Sequence, residues 1–163
     1  MALGDPEIQC GCGRFGCWET AVGLQALIHA SPAAAADTDS PVLGIDARLN
    51  DLLVRAQSKD AETTARLDAM ARWLGIGASV LANMLAPEVI ILGGHFAALR
   101  EFLDTRARIE FRTRLIAGPD TTRLEYSALG FEAPALGGGH AGIDLILQDP
   151  SLVGTHLLVE SST

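Results

Sequence analysis

Apolar residues recur at helical spacing through most of this chain, and form short continuous or alternating runs at only two places. From Trp18 to His29, Ala21, Leu24, Leu27 and Ile28 share one face, and Ser31-Pro32 stops the helix. Residues 32–41 are alanine-rich and then polar, and read as a surface connection. Asp46 is placed to cap a helix to Gln57, with Leu49, Leu52, Leu53 and Ala56 on its apolar face. After Ser58-Lys59-Asp60 the spacing predicts a longer helix, Ala61 to Leu85, striped with Leu67, Met70, Leu74, Ala78, Leu81 and Leu85. Gly75, Gly77 and Ala78 along it leave room for another element to approach closely.

Pro87 ends that helix. Val89-Ile90-Ile91-Leu92 is a continuous apolar run ahead of Gly93-Gly94, the signature of a strand buried on both faces. Leu99, Leu103, Ala107, Phe111 and Leu115 then predict a helix from about Phe96 to Ile116, closed by Gly118-Pro119. Arg123 to Ala128 alternates, with Leu124, Tyr126 and Ala128 on one face, and reads as a second strand. Gly137-Gly138-Gly139 is expected to open a last helix to Gln148, stopped by Pro150. Ser151 to Thr163 is expected to be a disordered tail. Two strands among these helices leave a doubly buried strand short of sheet partners.

Composition narrows the class. The chain has 163 residues, which suits one domain, and 48% apolar content, enough for a core. Its net charge is −8, with Lys59 as its one lysine against eleven arginines. A chain with pI near 4.8 has no broad electrostatic footprint for DNA, so no nucleic-acid contact is expected from it. The polar lead-in Met1–Gln9 has no signal-peptide pattern, and no apolar run is long enough to span a bilayer. A cytoplasmic location without membrane partners is the expectation.

All three cysteines lie in Cys10-Gly11-Cys12-Gly13-Arg14-Phe15-Gly16-Cys17-Trp18-Glu19. Thiols this close, separated by glycines that permit turns with positive φ, suit a loop around one soft metal ion rather than disulfides. Zinc takes four tetrahedral donors, so Cys10, Cys12 and Cys17 leave one place open. His29, a carboxylate such as Asp5 or Glu7, or water could take it. A reduced loop without metal is the alternative.

The pattern C-x-C-G-x-x-G-C-x-E resembles the zinc-loop signature of the ROK family (repressors, open reading frames, sugar kinases). The resemblance continues through Glu19-Thr20, the helical run to Leu85, Pro87-Glu88-Val89-Ile90-Ile91-Leu92-Gly93-Gly94 and Leu136-Gly137, from Cys10 to about Leu147. Trp18-Glu19-Thr20 and Gly93-Gly94-His95-Phe96 look most like the regulators, of the actinobacterial type, rather than the glucokinases. The resemblance implies an α/β fold. It would be the C-terminal lobe of an actin-like, ribonuclease-H-like ATPase-domain fold, incomplete at its N-terminal side, with residues 1–150 as a partial lobe and 10–19 as its zinc loop. In the family a histidine ending a G-E-x-G-H stretch, shortly before the first cysteine, completes a structural zinc site. Counting back from Cys10 passes Met1, so the chain is expected to start just after it. The phosphate-binding D-x-G-x-T loop, the kinases' catalytic aspartate and the regulators' helix-turn-helix are expected further upstream still.

The resemblance also assigns roles. Glu19 matches the glutamate that contacts sugar hydroxyls in sugar-binding relatives. As a bare residue it equally suits the first turn of a helix, where the macrodipole favours an acid. Gly93 and Gly94 match glycines that border the ATP site in the kinases, and a simple turn explains them as well. His95 stands where kinases commonly carry another glycine, which counts against nucleotide binding. Gly137-Gly138-Gly139 reads as a helix lead-in. His140 and His156 have no cluster partners. Phe15 and Trp18 are expected to pack against the lobe, and the Arg106, Arg108, Arg112, Arg114 series to form a solvated or subunit-contact face.

Three functions follow as expectations. The first is the sugar-sensing C-terminal part of a ROK-type transcriptional regulator, with a sugar or sugar-derivative effector, structural zinc, a homodimeric state and no catalytic residue of its own. The second is half of an ATP-dependent hexose kinase, with ATP as cofactor only in that case. The third is a truncated zinc-stabilised remnant without activity.

Overall fold

A computed structural model describes residues 3–28, 45–118 and 120–152. Within them the chain runs α1 (Glu19–Val22), α2 (Leu24–Ile28), α3 (Ile45–Gln57), α4 (Ala61–Leu85), β1 (Val89–Leu92), α5 (His95–Ala98), α6 (Arg100–Arg112), β2 (Arg123–Tyr126) and α7 (Ala133–Gln148). The arrangement is α/β and rich in helix.

Helix α4 is the axis of the molecule, and its start is written locally. The Asp60 carboxylate accepts the Thr63 N–H at 2.9 Å, satisfying one of the donors that a helix N-terminus leaves free. It ends where Ala86 takes a left-handed conformation (φ 45°) before Pro87. Leu67, Met70, Leu74 and Ala78 of its expected stripe are buried, but Leu85 is exposed. The stripe runs past the end of the element it packs on, α6, which contributes Leu103, Ala107 and Phe111. Gly75 lets the two helices touch: a Cβ there would lie 2.4 Å from the Ala107 carbonyl oxygen. Fully buried leucines such as Leu74 and Leu103 each stabilise this pair by about 1.5–3 kcal/mol.

Strands β1 and β2 pair in parallel, from Val89 opposite Arg123 to Leu92 opposite Tyr126. The crossover between them is α5–α6, as parallel strands require. The expectation of a strand buried on both faces is corrected here. Leu92 is buried, but Ile91 is 65% exposed. The helices cover one face of this two-stranded sheet, and nothing among the described residues covers Ile91.

Other boundaries also move. The expected helix from Trp18 splits into α1 and α2 at Gly23, which is extended (ψ 151°). Helix α3 begins at Ile45, so Asp46 falls inside it rather than capping it. The helix expected from Phe96 to Ile116 is broken at Leu99, a fully buried corner between α5 and α6, and ends at Arg112. The second strand stops at Tyr126, leaving Ala128 outside it. The glycine triplet does not open α7. The helix starts at Ala133, after a one-turn 3-10 segment at Gly130–Glu132, and Pro134 in its first turn suits that start. The connection at residues 32–41 and the tail from residue 153 lie outside the described residues. Ser151 and Leu152 are exposed in a short 3-10 turn.

Candidate metal centre and adjoining helix

Residues 4–17 fold as a knuckle built by backbone hydrogen bonds. Gln9 and Phe15 face each other in an antiparallel bridge. The Cys10 N–H donates to the Arg14 carbonyl at 2.7 Å, and the Gly13 N–H donates back to the Cys10 carbonyl at 2.9 Å, closing a tight turn. Gly13 (φ 83°) and Gly16 (φ 66°) hold the left-handed conformations that the turn needs, where a side chain would be strained. The Gly16 N–H reaches the Ile8 carbonyl, and the Gly4 N–H reaches the Gly16 carbonyl, tying the lead-in to the knuckle.

The turn delivers the three sulfurs to one point. The Sγ atoms of Cys10, Cys12 and Cys17 all lie within 4.8 Å of one another, and those of Cys12 and Cys17 are 3.6 Å apart. A tetrahedral site with metal–sulfur bonds near 2.3 Å places its sulfurs about 3.8 Å apart. The donor set therefore fits a soft metal in tetrahedral coordination, with one position left. Among the described residues no carboxylate or histidine joins the cluster. The Asp5 carboxylate instead accepts the Glu7 N–H at 2.9 Å, and His29 lies outside the described residues.

The thiols are electrostatically unequal. The backbone N–H of Arg14 lowers the Cys12 thiol below its ordinary range, helped by the neighbouring sulfurs of Cys17 and Cys10. Cys17, whose thiol bonds to Cys12, is pushed up to about 11, with desolvation adding to the effect. A soft cation binding there would displace thiol protons.

The knuckle passes directly into α1. Thr20 Oγ1 donates to the Cys17 carbonyl at 2.7 Å, fixing the junction. Trp18 then locks α1 onto α4. Its Nε1–H donates to the Trp73 carbonyl at 2.9 Å, and its ring rests on Gly77, where an added Cβ would lie 2.1 Å from the ring. The expected packing of Trp18 thus has a specific seat, whereas Phe15 is exposed. Glu19 is exposed in the first turn of α1, beside Gly23: a Cβ on Gly23 would fall 2.4 Å from its Oε1.

Gly93 and Gly94 follow β1 at the carboxyl end of the sheet, next to Ser127 at the end of β2. Gly94 has φ 58° and ψ −132°, a conformation that glycine alone adopts readily. This is the end at which open α/β sheets meet their ligands. His95 makes a contact that the sequence did not signal. Its Nε2 lies 2.9 Å from the Val22 carbonyl oxygen, at the end of α1. The glycine turn and the helix carrying Glu19 are therefore joined by one side chain. Gly77 was visible as a point of close approach, but its partner Trp18 was not.

Arg106 and Arg108 of α6, and Arg114 just beyond its end, are ion-paired. Glu110, nearly buried, is held by Arg106 at 2.9 Å and Arg114 at 2.5 Å, and Arg108 pairs with Asp104 at 2.7 Å. His140 Nδ1 lies 3.0 Å from the Leu136 carbonyl oxygen on exposed α7. Among the described residues no helix is long and apolar enough to cross a membrane.

Comparison with known proteins places this geometry. Residues 1–140 match the model of the ROK family. A glucokinase of Halalkalibacterium halodurans is 26% identical over 137 residues, which cover 80% of this chain and 42% of that protein. A xylose repressor of Bacillus subtilis is 28% identical over 140 residues, covering 85% of this chain and 34% of the repressor. The crystal structure of the ROK hexokinase from Thermus thermophilus superposes with a TM-score of 0.61 at 25% identity, over 82% of this chain and 42% of that one. The chain thus spans less than half the length of these relatives.

Proposed function

Since the chain belongs to the ROK family, we propose that it is the sugar-sensing C-terminal part of a ROK-type transcriptional regulator, with zinc held by Cys10, Cys12 and Cys17. The observation that carries this reading is the direct hand-over from the thiol cluster to α1. The sulfurs converge within 4.8 Å, and two residues after the last of them Glu19 stands in a helix anchored by Trp18. The zinc is structural: held by three thiolates and a further donor, histidine or water, it fixes where α1 begins and so where the Glu19 carboxylate sits. That carboxylate then accepts hydrogen bonds from paired sugar hydroxyls, and charge-assisted bonds of this kind are the strong ones. In the regulator, sugar contact biases the closure of two lobes, and a DNA-binding part elsewhere in the protein senses the shift in population. The lobe belongs to an actin-like architecture, with Gly93 and Gly94 at its cleft.

Similarity to both a xylose repressor and a glucokinase keeps an ATP-dependent hexose kinase as the second reading. There Gly93 and Gly94 would border the nucleotide, and an aspartate base would lie outside this chain. His95 favours the regulator: its imidazole fills the position after the glycines and is engaged with Val22.

The deciding measurement titrates D-glucose and D-xylose by calorimetry against the full-length protein that contains this chain, with and without ATP and magnesium. Sugar binding without phosphate transfer, abolished in Glu19→Gln, is the expected result. ATP-dependent phosphorylation of either sugar replaces the regulator with the kinase. Metal analysis tests the zinc separately: one equivalent is expected per chain, and Cys17→Ser should lose it.

A further inference from the structure

We propose that the thiol knuckle is also an oxidative modification site, at which a hydroperoxide links Cys12 to Cys17. The placement of the sulfurs carries this site independently of the sugar reading. The Cys12 and Cys17 sulfurs are already 3.6 Å apart, against about 2.05 Å in a disulfide, so little more than 1.5 Å of closure is required. The segment between them contains Gly13 and Gly16, both with positive φ, where the backbone can absorb that movement. Cys12 is exposed to an incoming oxidant, while Cys10 and Cys17 are half-buried. Cys10 is also pinned by its backbone hydrogen bonds with Arg14 and Gly13. The exposed thiol therefore has its resolving partner beside it, the arrangement that diverts a sulfenic acid into a disulfide before further oxidation.

The chemistry balances with hydrogen peroxide as the oxidant. The Cys12 sulfur attacks one peroxide oxygen, the O–O bond breaks, and water leaves, giving Cys12 sulfenic acid. The Cys17 sulfur attacks the Cys12 sulfur, the S–O bond breaks, and a second water leaves. Two thiols and one peroxide become one disulfide and two waters, with two electrons passing from sulfur to oxygen. The new bond removes two of the three donors from the metal position, and it draws on the residue whose carbonyl anchors Thr20 at the start of α1. Oxidation would thus release the metal and loosen the seat of Glu19 in one event, reversible by a dithiol.

The test treats the purified full chain with equimolar hydrogen peroxide, after its zinc content has been measured. Mass spectrometry of the intact chain should show loss of two hydrogens and no added oxygen. Trypsin cuts at Arg14, between the two cysteines, so the link should hold the resulting peptides together until reduction. Fragmentation then distinguishes Cys12 from Cys10 as the partner of Cys17. Zinc release, read with a chromophoric chelator, should track the mass change, and Cys10→Ser should still form the link. Oxygen addition without a link, a link through Cys10, or a disulfide between chains would each overturn the proposal. Absence of zinc at the outset would count against the metal reading alone, because the mass and peptide readouts do not need it.

Discussion

At the scale of single residues, the decisive position is one that carries no functional group. Gly77 gives the Trp18 ring its seat on α4, and Trp18 in turn sets the start of α1. An alanine there would drive its Cβ into a rigid aromatic ring rather than the end of a flexible side chain. Gly77→Ala is expected to destabilise the fold by about 1–3 kcal/mol, the usual range for overpacking. The urea midpoint of unfolding measures it. Gly137→Ala is the control, because a Cβ there meets nothing within 4 Å, and it should be neutral or stabilising. No loss in Gly77→Ala, or a gain like that of Gly137→Ala, would mean that helix propensity, and not the Trp18 seat, governs. The role of Gly77 was half legible in sequence: glycine inside an apolar helix announces a close neighbour, but the neighbour lies 59 positions away in the chain and carries no local mark.

At the scale of elements, α4 matched its sequence expectation from Ala61 to Leu85 because both of its ends are written locally. The cap also predicts a pH response. Hydrogen bonding from Thr63 holds the Asp60 carboxyl below its ordinary value of 3.8. A carboxyl depressed in the folded state binds its proton more readily in the unfolded chain. Its contribution is therefore present above about pH 3.8 and is lost as pH falls through the lower folded value. Unfolding followed from neutral pH down into this range should show a smaller loss of stability in Asp60→Asn, which keeps an acceptor that does not titrate. The same loss in both proteins would remove the cap from the account of acid sensitivity. Ends with competing local signals are less legible. The glycine triplet at 137–139 reads as the opening of α7, whereas the turn at Gly130 (φ 53°) and Pro134 start it at Ala133.

At the scale of the whole molecule, the apolar surface is unevenly distributed. One side of the sheet and the α4–α6 pair are close-packed, while Ile91 and the α7 side chains Ile143 and Leu147 stand in solvent, Leu147 at 73% exposure. Exposed apolar surface of this extent binds hydrophobic dyes. The chain is expected to enhance anilinonaphthalene sulfonate fluorescence while showing a cooperative thermal transition. Ile143→Glu with Leu147→Glu, four residues apart on α7, should reduce that fluorescence without lowering the transition temperature, since neither side chain is in the core. A marked drop in that temperature would place α7 in the cooperative unit.

The sequence by itself determined what depends on spacing along the chain. The cysteine knuckle, each bound of α4 and the strand before Gly93 rest on residues within a few positions of one another, and the family on a series of such local motifs. Turns, caps and amphipathic stripes are local, and their chemistry is carried by residue type. Only the tertiary structure decided that Trp18 sits on Gly77, that His95 reaches Val22, that Leu99 breaks a helix and that β1 leaves Ile91 open. Each of these depends on which surfaces of distant segments meet. An apolar run specifies that burial is favourable, and packing against α4 and α6 selects the face of β1 that receives it.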